Sequence, residues 1–330
     1  MQPAKRILLI GLGRWGANHL RVLQSMPIEL FVAEQDPERL SASGVPQSHR
    51  TSEARSLFPV IDAAVVVTPA DSHFEICREL LEAGKDVFVE KPISLKSAEA
   101  QQLSELAKRN RLILQVGHIF RFDPASVWMR DAIAEGRFGE IKMLRANFSG
   151  FKRPRQDTGV TLADGIHFID LFQFLLGSEP RRVHAVMKNF LGREGEMDDE
   201  ALIVLEYERE GVRILATIEA GYHRPGKMRE LTIVGKNLSA VCDYNVAQYK
   251  IKTFDNRHVD ERGEIKASEG AARQLEFPPE EPLRAELAAF LQSIETRKAP
   301  LVAGDEGAVA LRIVEAAMES ARTGKWIDLN

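Results

Sequence analysis

The side chains suited to chemistry in this chain of 330 residues fall into three groups. The first is Glu90-Lys91-Pro92, which continues Asp86-Val87-Phe88-Val89 without a break. A short continuous apolar run reads as a buried parallel strand, and ligands in open α/β sheets lie beyond the carboxyl ends of such strands. Lys91 is therefore expected at a rim where a cofactor lies, although a surface lysine beside a loop proline fits the same residues. The second group is Gly11-Leu12-Gly13-Arg14-Trp15-Gly16, directly after the apolar run Ile7-Leu8-Leu9-Ile10. Gly11 suits a tight turn, Gly13 lets backbone approach a pyrophosphate, and Gly16 lets a helix pack on its strand. The helix that follows offers unpaired N–H groups and a positive dipole end to phosphates. The third group is Asp164, His167 and Asp170, in a helical segment over 162–176 whose apolar residues leave almost no polar face. Residues three apart on a helix are neighbours, so Asp164 can meet His167, and His167 can meet Asp170. Burying two acids and an imidazole is costly unless they are paired or used. A carboxylate-flanked imidazole suits a general base near neutral pH, so His167 reads as functional and Asp170 as structural.

The elements around these groups split at about residue 120. Before it, strands and helices alternate: apolar runs at 7–10, 29–33, 61–69, 87–90 and 112–118, with helical patterns between them, the longest over 97–110. Alternation of this kind predicts a doubly wound parallel sheet. The first strand, glycine turn and helix are followed by a second strand, so the turn stands in the context that a dinucleotide site requires. At the end of that second strand, Glu34 and Asp36 stand at the usual distance for the acid that binds the adenosine ribose. Glu34 is the first choice, because Asp36-Pro37 reads as the turn opening the next helix. A carboxylate there favours NAD over NADP, while Arg14 and Arg39 are cations able to hold a 2′-phosphate. The helix after Thr68-Pro69 is expected to start at Asp71-Ser72-His73, with an Asp or Ser cap. Beyond Arg121-Phe122-Asp123-Pro124 come strand-like segments with few helices between, which predicts a mainly antiparallel sheet. Residues 255–282 read as a long loop, and 286–296 and 304–321 as closing structural helices. The expected organisation is an α/β protein with a Rossmann domain over 1–120 and an α/β domain over 121–330.

Composition narrows the class. Charged residues at 28% and hydrophobic ones at 44% match a globular protein, and a net charge of −4 gives no support for a nucleic-acid or anionic-membrane partner. Cys77 and Cys242 are the two cysteines, too few for a disulfide framework. The apolar run near the start is too short for a signal peptide and is interrupted at once by glycines and Arg14. No segment reaches the length of a membrane span, and a cytoplasmic protein without a metal site is expected.

Taken in order, Gly11-x-Gly13-x-x-Gly16, Thr68-Pro69 with His73, Glu90-Lys91-Pro92, Gly117-His118 with Arg121-Phe122, and Gly165-Ile166-His167-Phe168-Ile169-Asp170 resemble the Gfo/Idh/MocA oxidoreductases. These are the relatives of glucose–fructose oxidoreductase and inositol dehydrogenase, and the likeness runs over nearly the whole chain. It implies oxidation or reduction at a sugar or polyol carbon with a nicotinamide, and oligomer contacts through an open sheet, as a homodimer or homotetramer. It implies that Lys91 and His167 face the nicotinamide and the reacting hydroxyl, with Arg14, Trp15, Thr68, Pro69, His73, Glu90 and Pro92 along the cofactor. Arg121 is a candidate substrate contact, with a structural role as the alternative. Many members carry an aspartate four residues before the histidine; here that position is Ala163, and Asp164 is expected to serve instead. Trp15-Gly16-x-Asn18-His19, the segment from Lys227 to Gly235, and Glu281-Pro282-Leu283-x-x-Glu286-Leu287 look most like the nucleotide-sugar branch. That branch implies oxidation of the 3-hydroxyl of a UDP-N-acetylhexosamine, with Lys227 and Arg229 either meeting a diphosphate or forming a solvated strand edge. A dehydrogenase or ketoreductase of a free sugar, inositol or another polyol is the near alternative. A dinucleotide-sensing regulatory protein without turnover is the alternative of another class.

Overall fold

The computed structural model describes residues 4–195 and 197–329. The chain divides into two compact units, residues 1–119 with 282–312, and 120–281 with 313–330. In the first unit the elements run β1 (Lys5–Ile10), α1 (Gly16–Leu23), β2 (Ile28–Ala33), α2 (Pro37–Ala42), β3 (Arg50–Thr51), β4 (Ala63–Val66), α3 (Ala70–Glu82), β5 (Asp86–Glu90), α4 (Ser97–Asn110) and β6 (Leu114–Gly117). The six strands form one parallel sheet in the order β3-β2-β1-β4-β5-β6. That is the Rossmann order, with the reversal between β1 and β4 where dinucleotides bind. Ile7, Leu9, Val32, Val65 and Phe88 are all buried, as the continuous apolar runs require of a sheet covered on both faces.

Two expectations for this unit need correction. The helix α3 begins at Ala70 with Pro69 at its N-cap and no side-chain cap, so Asp71 and Ser72 lie inside its first turn. Pro69, with φ −58° and an extended ψ of 146°, is the half-in residue from which the chain turns into the helix earlier than a cap at Asp71 would place it. The partition at residue 120 assigned the helix Pro282–Thr296 to the second domain. Its Leu283, Leu287, Phe290 and Ile294 instead join Ile7, Val22, Val65 and Phe88 in one core. An apolar stripe announces that a helix is buried, not which sheet it covers. The next residues complete the edge: Val116 N donates to Val302 O at 2.9 Å, and Asp305 accepts from Ser104 Oγ at 2.6 Å.

The second unit holds α5 (Pro124–Ala134), β7 (Ile141–Gly150), α6 (Ile166–Leu176), β8 (Arg182–Lys188), β9 (Glu200–Arg209), β10 (Val212–Gly221), β11 (Lys227–Gly235), β12 (Ser239–Asp243), β13 (Ile251–Phe254), β14 (Arg257–Glu261), β15 (Glu264–Ser268), β16 (Ala272–Leu275) and β17 (Ile327–Asp328). Nine of its strands form a sheet ordered β16-β13-β12-β11-β7-β10-β9-β8-β17. All neighbours are antiparallel except β7 and β10. Alternation along the strands buries Leu144, Ala146, Ile203, Leu205, Ala216 and Ile218, while Leu202 and Leu215 on the opposite face stay 49% and 46% exposed. The expected loop over 255–282 is corrected: β14 and β15 form an exposed antiparallel hairpin, and β16 pairs with β13. Its charged composition hid the strands, because a hairpin bathed on both faces has no apolar alternation to read. Among the described residues no helix is long and apolar enough to cross a membrane.

Candidate active site

The glycine turn after β1 has three glycines for three reasons. Gly11 has φ +96°, and a Cβ there would lie 2.8 Å from Val67 O on the neighbouring strand's exit. A Cβ on Gly16 would lie 2.2 Å from Gly11 O, so α1 can start this close to its strand only from glycine. Gly13 has nothing within 4 Å of its would-be Cβ; it is small next to open space, as a pyrophosphate cradle requires. No side chain caps α1; the N–H groups of Ala17 and Asn18 donate at 2.9 Å to the carbonyls of Gly13 and Trp15, which makes the turn itself the start of the helix whose positive dipole end suits an anion. Trp15 and Arg14 are both exposed on this turn.

At the end of β2, Glu34 lies against the turn itself. Its Oε2 accepts from Leu12 N at 2.5 Å and its Oε1 from Asp36 N at 2.9 Å. Asp36 is occupied in capping α2, accepting from Glu38 N at 3.0 Å and Arg39 N at 3.1 Å, with the Arg39 guanidinium 3.3 Å away. Glu34 is thus the acid beside the cradle, and Arg39 already has a carboxylate partner.

Glu90 ties that cradle to Lys91. Its Oε1 accepts from Trp15 Nε1 at 2.5 Å and lies 2.8 Å from His19 Nε2, and its Oε2 accepts from Lys91 N at 3.2 Å. Burial pushes the Glu90 carboxyl upward, but the bond to His19 and the charges of His19 and Lys91 outweigh it and hold the group below its ordinary value. Gly117 on the adjacent strand would bring a Cβ to 3.1 Å of this carboxylate, so glycine there makes the room. The Lys91–Pro92 peptide is cis. His73 joins two turns: its Nδ1 lies 2.7 Å from Pro92 O and its Nε2 2.9 Å from Thr68 O. Thr68, Pro69, His73 and Pro92 therefore form one scaffold behind Lys91.

The second unit carries the acid–histidine group. The expected helix over 162–176 is in fact two pieces, a π turn over Thr161–Gly165 followed by α6. Asp164 sits on the π turn, so regular helical spacing does not govern where it points. Its Oδ2 accepts from Lys152 Nζ at 2.5 Å, a partner the spacing argument did not supply. His167, 9% exposed, forms a three-ring cluster with Phe148 at 5.3 Å, planes 12° apart, and Phe120 at 5.1 Å, planes 34° apart, the two phenyl rings themselves lying 6.1 Å from each other. Phe120 stacks in turn on Tyr244 at 4.5 Å. Arg121, expected as a substrate contact, has a different job. It is buried and bound by two nitrogens to Asp170, at 2.6 to 3.1 Å over three bonds, so its charge is matched inside the fold. Asp170 is structural, as expected.

Lys152, Phe148 and Arg229 were not assigned to this group from sequence. Phe148 and Arg229 are register partners on β7 and β11, and the guanidinium carbon lies 3.4 Å from the ring centroid. Lys152 Nζ lies 5.0 Å from the same ring. Only the strand register brings these residues together, and register across eighty residues leaves no local signal. Lys227 is exposed.

Comparison with known proteins gives the family. Residues 5–118 match the model described as the oxidoreductase family's NAD-binding Rossmann fold, and residues 130–329 match the model of its C-terminal alpha/beta domain. The chain is 26% identical to inositol 2-dehydrogenase of Rhizobium meliloti over 98% of this chain and 99% of the relative. It is 31% identical to UDP-N-acetylglucosamine 3-dehydrogenase of Acidithiobacillus ferrooxidans over 54% of this chain and 56% of the relative. A levoglucosan dehydrogenase solved in complex with NADH and levoglucosan superposes with a TM-score of 0.83 at 21% identity, covering 99% of each chain, which shows a shared fold.

Proposed function

From the premise that this chain belongs to the Gfo/Idh/MocA oxidoreductase family, we propose that it oxidises a secondary alcohol of a sugar, in the finer reading the 3-hydroxyl of a UDP-N-acetylhexosamine. The observation that carries the reading is His167, a buried imidazole packed against both Phe148 and Phe120, with the buried Asp164 carboxylate three residues before it on the π turn. In this position His167 takes the hydroxyl proton as the carbonyl forms, and Asp164 steadies the resulting imidazolium. Lys91, an ammonium at the end of β5, holds the same oxygen and offsets the charge that develops on it. NAD, when bound, supplies the hydride acceptor. The residues on the cofactor side fit that group: Gly13 beside open space, the uncapped start of α1, and Glu34 against the turn for the ribose.

The nucleotide-sugar reading is supported by the 31% identity to the UDP-N-acetylglucosamine enzyme, over about half the chain. A free polyol is supported by the inositol 2-dehydrogenase likeness, which extends over the full length. NAD reduction, followed at the nicotinamide absorbance band with UDP-N-acetylglucosamine, myo-inositol and free hexoses, separates the two. Lys91→Ala and His167→Asn are expected to lose turnover with whichever substrate responds. Near wild-type turnover in Lys91→Ala at saturating sugar removes Lys91 from the mechanism. Tight NAD binding with no reduction by any sugar points instead to a sensor. The open sheet face bearing Val186, Leu202 and Leu215 supports a homo-oligomer.

A further inference from the structure

Phe148 carries two cations on one ring. Arg229 places its guanidinium carbon 3.4 Å from the centroid and Lys152 its ammonium at 5.0 Å, while His167 stacks on the same ring at 5.3 Å. Lys152 is paired with a carboxylate, Asp164. Arg229 makes no ion pair with the described residues. Its Nη1 donates to Ser149 O at 3.0 Å and Met228 O at 2.5 Å, which leaves Nε and Nη2 without a described protein acceptor. Burial lowers the pKa of this guanidinium, and the distant charge of Asp164 only partly opposes it.

The other half-buried and buried arginines of this unit are treated differently. Arg121 is matched by Asp170. Arg193 places its two terminal nitrogens on the carbonyls of Arg155, Thr158, Met197 and Asp198. Arg182, half-buried, is paired with Glu206. A guanidinium withdrawn from water without a counter-charge is unfavourable, and its planar fork matches a carboxylate or phosphate with two bonds.

We propose that Arg229, with Lys152 beside it, receives an oxyanion covalently attached to the substrate, a phosphate or carboxylate carried by the sugar, one aromatic ring away from His167. The substrate is then an anionic sugar, and Arg229 is what discriminates it from a neutral polyol. This rests on His167 being the base of the proposed oxidation, since the ring that holds the arginine also holds that histidine. Phe148 fixes the spacing between the anion and the reacting hydroxyl.

The test is binding to the full chain saturated with NADH, where no turnover occurs, measured by calorimetry with four probes. These are UDP-N-acetylglucosamine, its neutral counterpart N-acetylglucosamine, and the pair glucuronate and glucose. At least one anionic probe is expected to bind tenfold or more tightly than its neutral counterpart, with an affinity that falls as salt rises. Which of the two does so distinguishes a diphosphate from a carboxylate. Arg229→Gln is expected to reduce that advantage at least tenfold and leave neutral-sugar binding unchanged, and Arg229→Lys to keep part of it. Equal affinities for charged and neutral members of each pair in the wild type overturn the proposal, as does an advantage that survives in Arg229→Gln. Failure of both anionic probes to bind overturns it too. The salt dependence and pairwise comparison in the wild type stand even where Arg229→Gln does not fold. NAD reduction by a neutral sugar alongside these outcomes leaves the oxidation intact and removes only the anion site.

Discussion

Asp170→Asn breaks an enclosed ion pair of the second unit. Arg121 and Asp170 have side chains 7% and 1% exposed and share three bonds of 2.6, 2.9 and 3.1 Å. Replacing the carboxylate by an amide keeps the volume but turns one acceptor into a donor facing a donor, and strands a buried guanidinium over the Phe174 ring. Removing one partner of a buried pair costs about 3–5 kcal/mol, most of it the desolvation of the charge left behind. For a unit of this size, each kcal/mol moves Tm by about 2–4 °C, so a fall of roughly 6–20 °C is expected by calorimetry or circular dichroism. The double variant Arg121→Met with Asp170→Leu should recover much of the loss, because apolar groups of similar volume remove both charges together. NADH affinity should hardly move, since neither residue belongs to the unit carrying the glycine turn. A fall under about 1 kcal/mol, or a double variant worse than the sum of the singles, would refute the assignment of this pair as a charge-matched anchor.

Three further outcomes follow from the geometry. Gly13→Ala should leave Tm unchanged, because a Cβ there meets nothing within 4 Å, yet raise the Kd for NAD by about tenfold or more; Gly16→Ala, with a Cβ 2.2 Å from Gly11 O, should instead lower Tm. Glu90→Gln should cost about 1.5–3 kcal/mol at neutral pH through the bonds of Trp15 and His19. The native Glu90 carboxyl is held low, so its stabilisation is present above the unfolded value near 4.5 and lost as pH falls through the folded one; the Tm gap between wild type and variant should close in acid. Leu215→Glu, at the centre of the open sheet face, should reduce the molar mass seen in light scattering without changing NAD affinity.

The parallel sheet, its glycine turn and the burial of Lys91's strand were legible because each depends on near-neighbour sequence. Continuous apolar runs mean two covered faces, and Gly-x-Gly-x-x-Gly marks a turn wherever strand and helix flank it. Asp36 as a cap and Glu34 as the acid at the cradle followed from Asp36-Pro37 in the same way. What was not legible required pairing between distant residues. Arg229 meets Phe148 only through the register of β11 on β7, and Lys152 meets Asp164 only because a π turn re-aims that carboxylate. Regular helical spacing placed Asp164 beside His167 by a three-residue step, whereas Asp164 lies on a π turn, where that spacing does not apply. For Arg121 the sequence left a substrate contact and a structural role both open, because charge matching by Asp170 is invisible until helix and loop are folded together.

The most direct test of the proposed chemistry follows the hydrogen itself. UDP-N-acetylglucosamine carrying deuterium at the carbon of its 3-hydroxyl is incubated with the enzyme and NAD, and the nicotinamide is then analysed by mass spectrometry. The expected result is NADH that carries the deuterium, formed more slowly than with unlabelled sugar and absent with His167→Asn. Bound NAD that stays oxidised and unlabelled with this and every other sugar contradicts the assignment of His167 and Lys91 to an alcohol oxidation.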